Sequence, residues 1–386
     1  MLFDVVIVGG GLAGLSLACA LRDTRLKIAL VESRAPSPAS GWDSRVYAIS
    51  PANADFLRAI GAWKHLDGER LTTIDAMKVR GDGGATLDFS AYQAGVSELG
   101  WIVESSLMAG ELWESVKRQG NLTLFCPARP GVLEFSPAAA TLTLADGQTL
   151  SGRLLVGADG RDSWVREAAG LTAIDTPYGE MGLVANFECE LPHRGIARQW
   201  FRDDGVLAWL PLPGQRISIV WSAPDALAAE LLALPAEALA ARVGAAGGDE
   251  LGRLTQITAP SAFALRLLRV PTTVAPRLAL IGDAAHGIHP LSGHGINLGY
   301  QDARVLAELL AATPDWQDPG SARLLSRYQR ARREETLLLQ YTTDTLRRLF
   351  REKLPGLKPL RNIGMNLVNA VPVVKNLLVR YALGTF

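Results

Sequence analysis

At 386 residues the chain is longer than one hydrophobic core usually organises, so two domains are expected. Hydrophobic residues make up 48% and charged residues 20%, which excludes a largely disordered chain. Lys plus Arg equals Asp plus Glu at 39 each, so no global basic field points to nucleic acid, and any electrostatic targeting must be local.

Met1 to Asp4 leads straight into an apolar strand pattern, with no basic n-region or small-residue cleavage site. No run approaches the roughly 18 apolar residues of a spanning helix, so a soluble, cytoplasmic protein is expected. Phe3 to Val8 is a β-branched run ending in a glycine-rich loop, an Ala/Leu-rich helix follows to about Arg22, and Leu26 to Val31 is a second strand. This is a βαβ pattern over a buried parallel sheet. Gly9-x-Gly11-x-x-Gly14 sits where that strand opens into that helix. The first glycine permits a tight turn, the second lets the backbone approach a pyrophosphate, and the third allows close helix–strand packing. Leu12 and Ala13 begin the helix whose N-terminus favours the anion. Glu32 ends the second strand, where a carboxylate accepts from ribose hydroxyls and repels a 2′-phosphate. FAD and NAD both remain open at this point.

Cys19, Cys126 and Cys189 are too far apart for a disulfide framework or a zinc site, which suits a reducing compartment. Cys19 lies in the first helix and is expected to be small core filler rather than a nucleophile. Ser33 to Trp42 reads as loop, Met77 to Tyr92 as antiparallel strands, and Leu107 to Arg118 as a helix. Leu122 to Leu150 reads as strands and a hairpin turning at Asp146-Gly147. Gly182 to Glu190, Gly205 to Leu212 and Arg216 to Trp221 read as strands, with an Ala/Leu-rich helix predicted from Pro224 to Val243. Leu278 to Ile281 is another buried strand, followed by a glycine-rich loop and a long helix from about Gly295 to Leu310. From Ser321 onward the chain reads as helix, with breaks at Pro355, Pro359 and Pro372.

Two later segments settle the nucleotide. Leu154 to Gly160 reads Leu-Leu-Val-Gly-Ala-Asp-Gly, and Leu278 to His286 reads Leu-Ala-Leu-Ile-Gly-Asp-Ala-Ala-His. With the N-terminal triplet, in this order, they resemble the group A flavoprotein aromatic monooxygenases, relatives of the para-hydroxybenzoate hydroxylase fold. The chain is most similar in pattern to the FAD-dependent hydroxylases of ubiquinone biosynthesis. Asp43 to Ser50, Trp209 to Pro213, Ser218 to Trp221, and Gly282 to Gly299 with His289-Pro290 and Gly293-x-Gly295-x-Asn297 extend the likeness over nearly the whole chain.

That resemblance implies an α/β fold: a Rossmann-like FAD-binding domain interleaved with a smaller mixed or antiparallel β-sheet substrate domain, plus C-terminal helices. The implied FAD-binding domain is residues 1–75, 93–176 and 271–345; the substrate sheet is 76–92 and 177–270; the helical tail is 346–386. It implies that Arg45 approaches FAD, that Asp283 bonds the ribityl chain, and that Asp159 with Gly160 packs near the flavin and serves nicotinamide cofactor use. Pro290, Gly293, Gly295, Ile296 and Asn297 would surround the flavin, the last three opening a helix toward its pyrimidine edge. A helix N-terminus there stabilises the negative charge of reduced flavin near N1 and O2. The family often carries a larger polar residue where Glu104 to Leu107 stands, so no flavin contact is assigned there.

The implied reaction hydroxylates the ring of a polyprenylated phenol through a flavin C4a-hydroperoxide, with O2 as co-substrate and NAD(P)H or a reductase protein as electron donor. The cofactor carries the chemistry, so no catalytic side chain is named. His286, His289 and His294 are close in sequence, but a Gly/Pro-rich loop is a poor ligand frame, and no metal is expected. His286 is expected to make a structural hydrogen bond. Trp200, Trp209 and Trp221 either face substrate or pack. Between Leu354 and Phe386 there is no acid, while Lys358, Arg361, Lys375 and Arg380 are present. Leu360, Ile363, Leu367, Val368 and Val371 recur at helical spacing, continued by Leu377, Leu378 and Tyr381. This segment is either a docking helix or a basic amphipathic surface for an inner-membrane face or a quinone-biosynthesis complex. The rival enzyme is a flavin-dependent reductase of isoprenoid double bonds. A hydroxylase of a small soluble aromatic acid and a non-enzymatic lipid carrier are weaker alternatives.

Overall fold

A computed structural model describes residues 1–37, 41–293, 295–314, 316–351 and 357–371. The β-branched run at the N-terminus forms the strand Leu2–Val8, in which Val5, Val6 and Ile7 are fully buried. Burial on both faces explains why it is continuously apolar rather than alternating. It pairs in parallel with Ile28–Val31 on one side and Thr149–Gly157 on the other. Leu122–Phe125 and Leu278–Leu280 extend this sheet in parallel at either side. One face carries the helices Leu12–Ala20, Ser105–Lys117 and Gly295–Ala311, with Leu15, Leu112 and Leu306 in their shared core. The opposite face is covered by the hairpin Pro130–Phe135 and Ala140–Leu144, which supplies Ala140 and Leu142. The turn at Asp146-Gly147 is as read from sequence: Gly147 has φ +89° and Asp146 accepts from the Gln148 N–H.

The second sheet runs, in spatial order, through 286–287, 261–269, 174–189, 216–224, 205–212, 196–202, 76–80 and 86–90. It is antiparallel except where Ile196–Arg202 lies parallel to Ala76–Arg80. Period-two alternation gives this sheet two unlike faces. Leu183, Leu207, Trp209, Ile219 and Trp221 point to one side and pack on the helices Asp225–Ala233 and Ala236–Ala246. Trp209 and Trp221 are fully buried there, and Trp200 meets Trp209 edge-on at 4.8 Å, so these rings pack. Val184, Val206, Ala208 and Val220 turn to the other side, toward a cavity. A small third sheet joins Val46–Ile49, Gly100–Glu104 and Thr72–Ile74.

Two expectations are corrected. The helix expected over 224–243 is two helices, because Pro235 lacks an N–H and forces Leu234 out of helical geometry (ψ 141°). Pro359 does not break the chain: it falls in the first turn of the helix Leu357–Ala370, where its missing N–H has no partner to lose. Ala322–Arg351 is the other long C-terminal helix. Pro355 and Pro372, like His294, Lys375, Leu377, Leu378, Arg380 and Tyr381, lie outside the described residues. Among the described residues no helix is long and apolar enough to cross a membrane.

Candidate active site

Between the loops of the first sheet and the free face of the second lies a cavity of about 940 Å³, at the large end for a small-molecule site. Three glycine-bearing loops build its inner wall. In the first, Gly9 has φ +111°, and a Cβ on Gly14 would stand 2.1 Å from the Gly9 carbonyl oxygen. Only glycine allows the helix Leu12–Ala20 to sit this close to the strand. Gly11, by contrast, has open space where a Cβ would project, and it lines the cavity with Leu12 and Ala13. Glu32 is pinned over this loop: Oε2 accepts from the Gly10 N–H at 2.6 Å, and Oε1 from Ser33 Oγ and the Arg34 N–H.

The second loop carries Asp159, whose carboxylate accepts from Ser163 Oγ at 2.6 Å and from the Val165 N–H at 3.0 Å. It therefore holds the turn, while its neighbours Ala158 and Gly160 reach the cavity. The third loop follows Leu278–Leu280. Gly282 adopts φ +60° and faces Ala13 and Gly299, so this loop, the first helix and the helix Gly295–Ala311 meet through small residues. Asp283 is exposed on the cavity wall with no side-chain partner among the described residues. Gly293, Gly295, Ile296 and Asn297 bring the start of Gly295–Ala311 to the same wall. Its first N–H groups have no intrahelical acceptors, which makes this end attractive to negative charge. The Asn297 side chain accepts from the Ser50 N–H and Asn53 Nδ2 and donates to the Ala48 carbonyl at 2.7 Å, fixing the helix start against the strand Val46–Ile49.

Of the residues singled out from sequence, Gly11, Leu12, Ala13, Arg45, Asp283, Pro290, Gly293, Gly295, Ile296 and Asn297 line this one cavity. Gly9, Gly14, Glu32 and Asp159 stand behind its wall and shape the loops. Arg45 is held by its backbone: Asp43 accepts from the Arg45 N–H, and Asn186 Nδ2 donates to the Asp43 carbonyl from the second sheet. Glu104, buried, accepts from the Asp43 N–H and from Arg70 Nε and Nη2, each at 2.8 Å, so it supports this loop, while Ser105 reaches the cavity. Among the described residues no cluster could hold a metal. Cys19 is buried, and burial pushes its thiol up to about 12, so it stays protonated and packs as filler.

Sequence reasoning missed two buried ionic clusters behind the cavity-wall loops, whose members are far apart in sequence. Asp302 accepts from the Gly282 N–H, from His286 at 2.6 Å and from Arg332 Nε at 2.7 Å. Burial opposes charge on His286, but the Asp302 carboxylate outweighs it and raises the imidazole above its ordinary range. His286 thus makes the structural hydrogen bond expected of it. The second cluster centres on Glu180, at a bulge of the second sheet, with His289 at 3.2 Å, Arg347 at 3.1 Å, and Arg351. His289 Nδ1 accepts from the Leu291 N–H, so Nε2 carries the proton directed at Glu180.

This second cluster predicts an acid-side stability loss. Burial raises the Glu180 carboxyl, but His289 and Arg347 override it and hold it at about 2, against an ordinary 4.5. Burial holds His289 below its ordinary 6.5 despite the pull of Glu180. Both groups bind fewer protons folded than unfolded, so their stabilisation is complete above pH 6.5. It erodes as pH falls, first through His289 and then, between about 4.5 and 2, through Glu180. Thermal midpoints measured against pH should fall on this limb, and Glu180→Gln should flatten the part below 4.5; an unchanged slope in the variant refutes the assignment.

Comparison with known proteins fits this geometry. An FAD binding domain model matches residues 134–338, and a second FAD binding domain model matches residues 4–44. Over 386 residues the chain is 40% identical to ubiquinone hydroxylase UbiL of Rhodospirillum rubrum, covering 99% of this chain and 90% of that protein. The chain belongs to the FAD-dependent hydroxylases of ubiquinone biosynthesis. Within this family it is also 31% identical to the 3-demethoxyubiquinol 3-hydroxylase of Escherichia coli, covering 99% and 98% of the two chains. The human ubiquinone biosynthesis monooxygenase COQ6 is 30% identical over 98% of this chain and 92% of its own. Among solved structures, a PqsL variant from Pseudomonas aeruginosa superposes with a TM-score of 0.81 at 24% identity, over 95% and 99% of the two chains. The p-nitrophenol 4-monooxygenase PnpA of Pseudomonas putida superposes at 0.80 and 20% identity, over 98% and 97%; both show the fold. The chain is an FAD-dependent monooxygenase. The open wall at Gly11, the exposed Asp283 and the helix start at Gly295 suit a long anionic dinucleotide.

Proposed function

We propose that FAD lies along the inner wall of the cavity, its pyrophosphate at Gly11 to Ala13, its ribityl chain at Asp283 and its ring system between Arg45 and the start of Gly295–Ala311. A polyprenylated phenol of ubiquinone biosynthesis then occupies the apolar face of the second sheet and receives one ring hydroxyl. One observation carries this reading: a single cavity has a polar, glycine-built wall opposite an apolar sheet face of Val184, Val206, Ala208 and Val220. When bound and reduced, FAD supplies the activation of dioxygen that ring hydroxylation needs. The helix N-terminus at Gly295 stabilises negative charge on the flavin, and the sheet face excludes water and orients the ring. Reducing equivalents come from NAD(P)H or a reductase protein. Deleting the gene in its host should cause a prenylated phenol lacking one hydroxyl to accumulate, as read by mass spectrometry; an unchanged quinone profile overturns the reading. Oxygen uptake matching product separates a hydroxylase from a double-bond reductase.

The finer partner is a membrane surface. The helix Leu357–Ala370 packs inside out: Asn362 and Arg361 bond Asp82, while Leu360, Ile363 and Leu367 are 65%, 63% and 63% exposed. With no acid from Leu354 to Phe386, this stripe suits anionic lipid. Leu360→Ser with Ile363→Ser and Leu367→Ser should reduce co-sedimentation with phosphatidylglycerol-containing vesicles about tenfold or more. Undiminished binding by the triple variant sinks this part.

A further inference from the structure

The cavity face of the second sheet is read row by row from its registers. One row crosses five strands as Val184, Val220, Ala208, Gln199 and Val79, each directly opposite the next. Four of these side chains are apolar and the fourth in line is a carboxamide. Gln199 is 6% exposed and lines the cavity, yet it has no side-chain partner among the described residues. Its amide atoms face the open cavity, where solvent can pair with them, so a ligand that displaces that solvent must supply the hydrogen bonds in its place. Sheet packing supplies no reason for the amide here, because its flanking neighbours Ala208 and Val79 present no donor or acceptor. Ala197 and Ala208 beside it are small, which leaves a flat recess against the sheet.

We infer that Gln199 is the residue that reads the hydroxyl of the substrate ring. This rests on the prenylated-phenol reading above. A carboxamide both donates and accepts, so it satisfies both halves of a phenolic O–H while adding no charge to an apolar wall. A ring bearing only carbon leaves the whole amide unmatched, and an alkylated oxygen, which still accepts from the amide N–H, leaves the amide carbonyl unmatched; that mismatch is what discriminates. Ser218 and Ser222 are the other polar side chains buried on this face with no hydrogen-bond partner among the described residues. Each lies two strands and two residues away, roughly 12 Å between Cα atoms from strand spacings, too far to share the same oxygen. The selection therefore belongs to Gln199.

The test titrates the flavin absorbance of the holoenzyme with 2-farnesylphenol and with its methyl ether. The wild-type protein should bind the phenol about tenfold to a hundredfold more tightly than the ether. Gln199→Leu should bind both alike, the advantage of the phenol being lost, with its FAD content preserved and its melting temperature not lowered. Gln199→Met, close in volume, should behave the same way and stands in if the leucine variant misfolds. A variant that keeps the phenol preference overturns the inference alone, as does a wild-type protein that binds both compounds equally. A wild-type protein whose flavin responds to neither compound overturns the prenylated-phenol reading, and this inference with it.

Discussion

Gly11→Val should yield a folded, colourless protein, whereas Gly14→Ala should yield a damaged fold. The two glycines belong to one turn, but their surroundings differ. Gly11 has φ −74° and ψ 177°, which any residue adopts, and nothing stands within 4 Å of its would-be Cβ. A valine there fits the protein and fills the space assigned to the FAD pyrophosphate. It displaces at least one or two charge-assisted hydrogen bonds to helix N–H groups, about 3 kcal/mol in all, so FAD affinity should fall about a hundredfold. At Gly14 the new methyl would lie 2.1 Å from a backbone oxygen that has nowhere to move. Overpacking of that kind costs about 3 kcal/mol at the upper end of its usual range. Circular dichroism melting and flavin titration separate the outcomes. If Gly11→Val binds FAD normally, the pyrophosphate does not lie where it is proposed to lie.

That contrast marks what was legible in the sequence. A parallel strand buried on both faces must be a continuous apolar run, and a turn between it and a helix must be glycine where backbone meets backbone. Those demands are local, so Leu2–Val8, the glycine loop, Leu278–Leu280 and Gly282-Asp283 were readable without partners. The strand Ile196–Arg202 was not, because Arg198, Gln199 and Arg202 interrupt its apolar signal. Their reasons lie elsewhere in the chain: Arg198 pairs with Glu250 at 2.8 Å, and Arg202 donates to the Ala246 carbonyl. Ser261–Arg269 was likewise passed over, and the break at Pro235 was lost in an Ala/Leu-rich run. At the site, the lining residues of the loops were readable because their motifs are contiguous, whereas the sheet-side lining residues Val184, Gln199 and Val206 carry no such motif. Asp302, Arg332 and Glu180 were not, since each is an ordinary charged residue until the fold buries it against distant partners.

Asp302→Ala should therefore be the most damaging single change outside the glycine loop, although the residue is not placed on the cavity wall. Its carboxylate is 1% exposed and joins the Gly282 N–H, His286 and Arg332. Removing one member of a buried ionic cluster strands the others, at a cost of about 3–5 kcal/mol. Arg332 would remain 7% exposed, with only Glu335, Gln301 and a carbonyl to hold it. The Gly282 turn would lose the acceptor that fixes its φ +60° conformation, so Asp283 would no longer be held at the cavity wall proposed for FAD. Urea unfolding followed by ellipticity should show the stability loss, and flavin fluorescence should show release of FAD at lower urea than global unfolding. Asp302→Asn keeps an acceptor for Gly282 and should be milder. The double change Asp302→Ala with Arg332→Leu removes both charges and should recover part of the loss, because the damage comes from the stranded guanidinium rather than from the missing attraction. A double variant less stable than Asp302→Ala alone would show that Arg332 is held well enough by its remaining partners, and that the cluster stabilises the fold by packing instead of by charge.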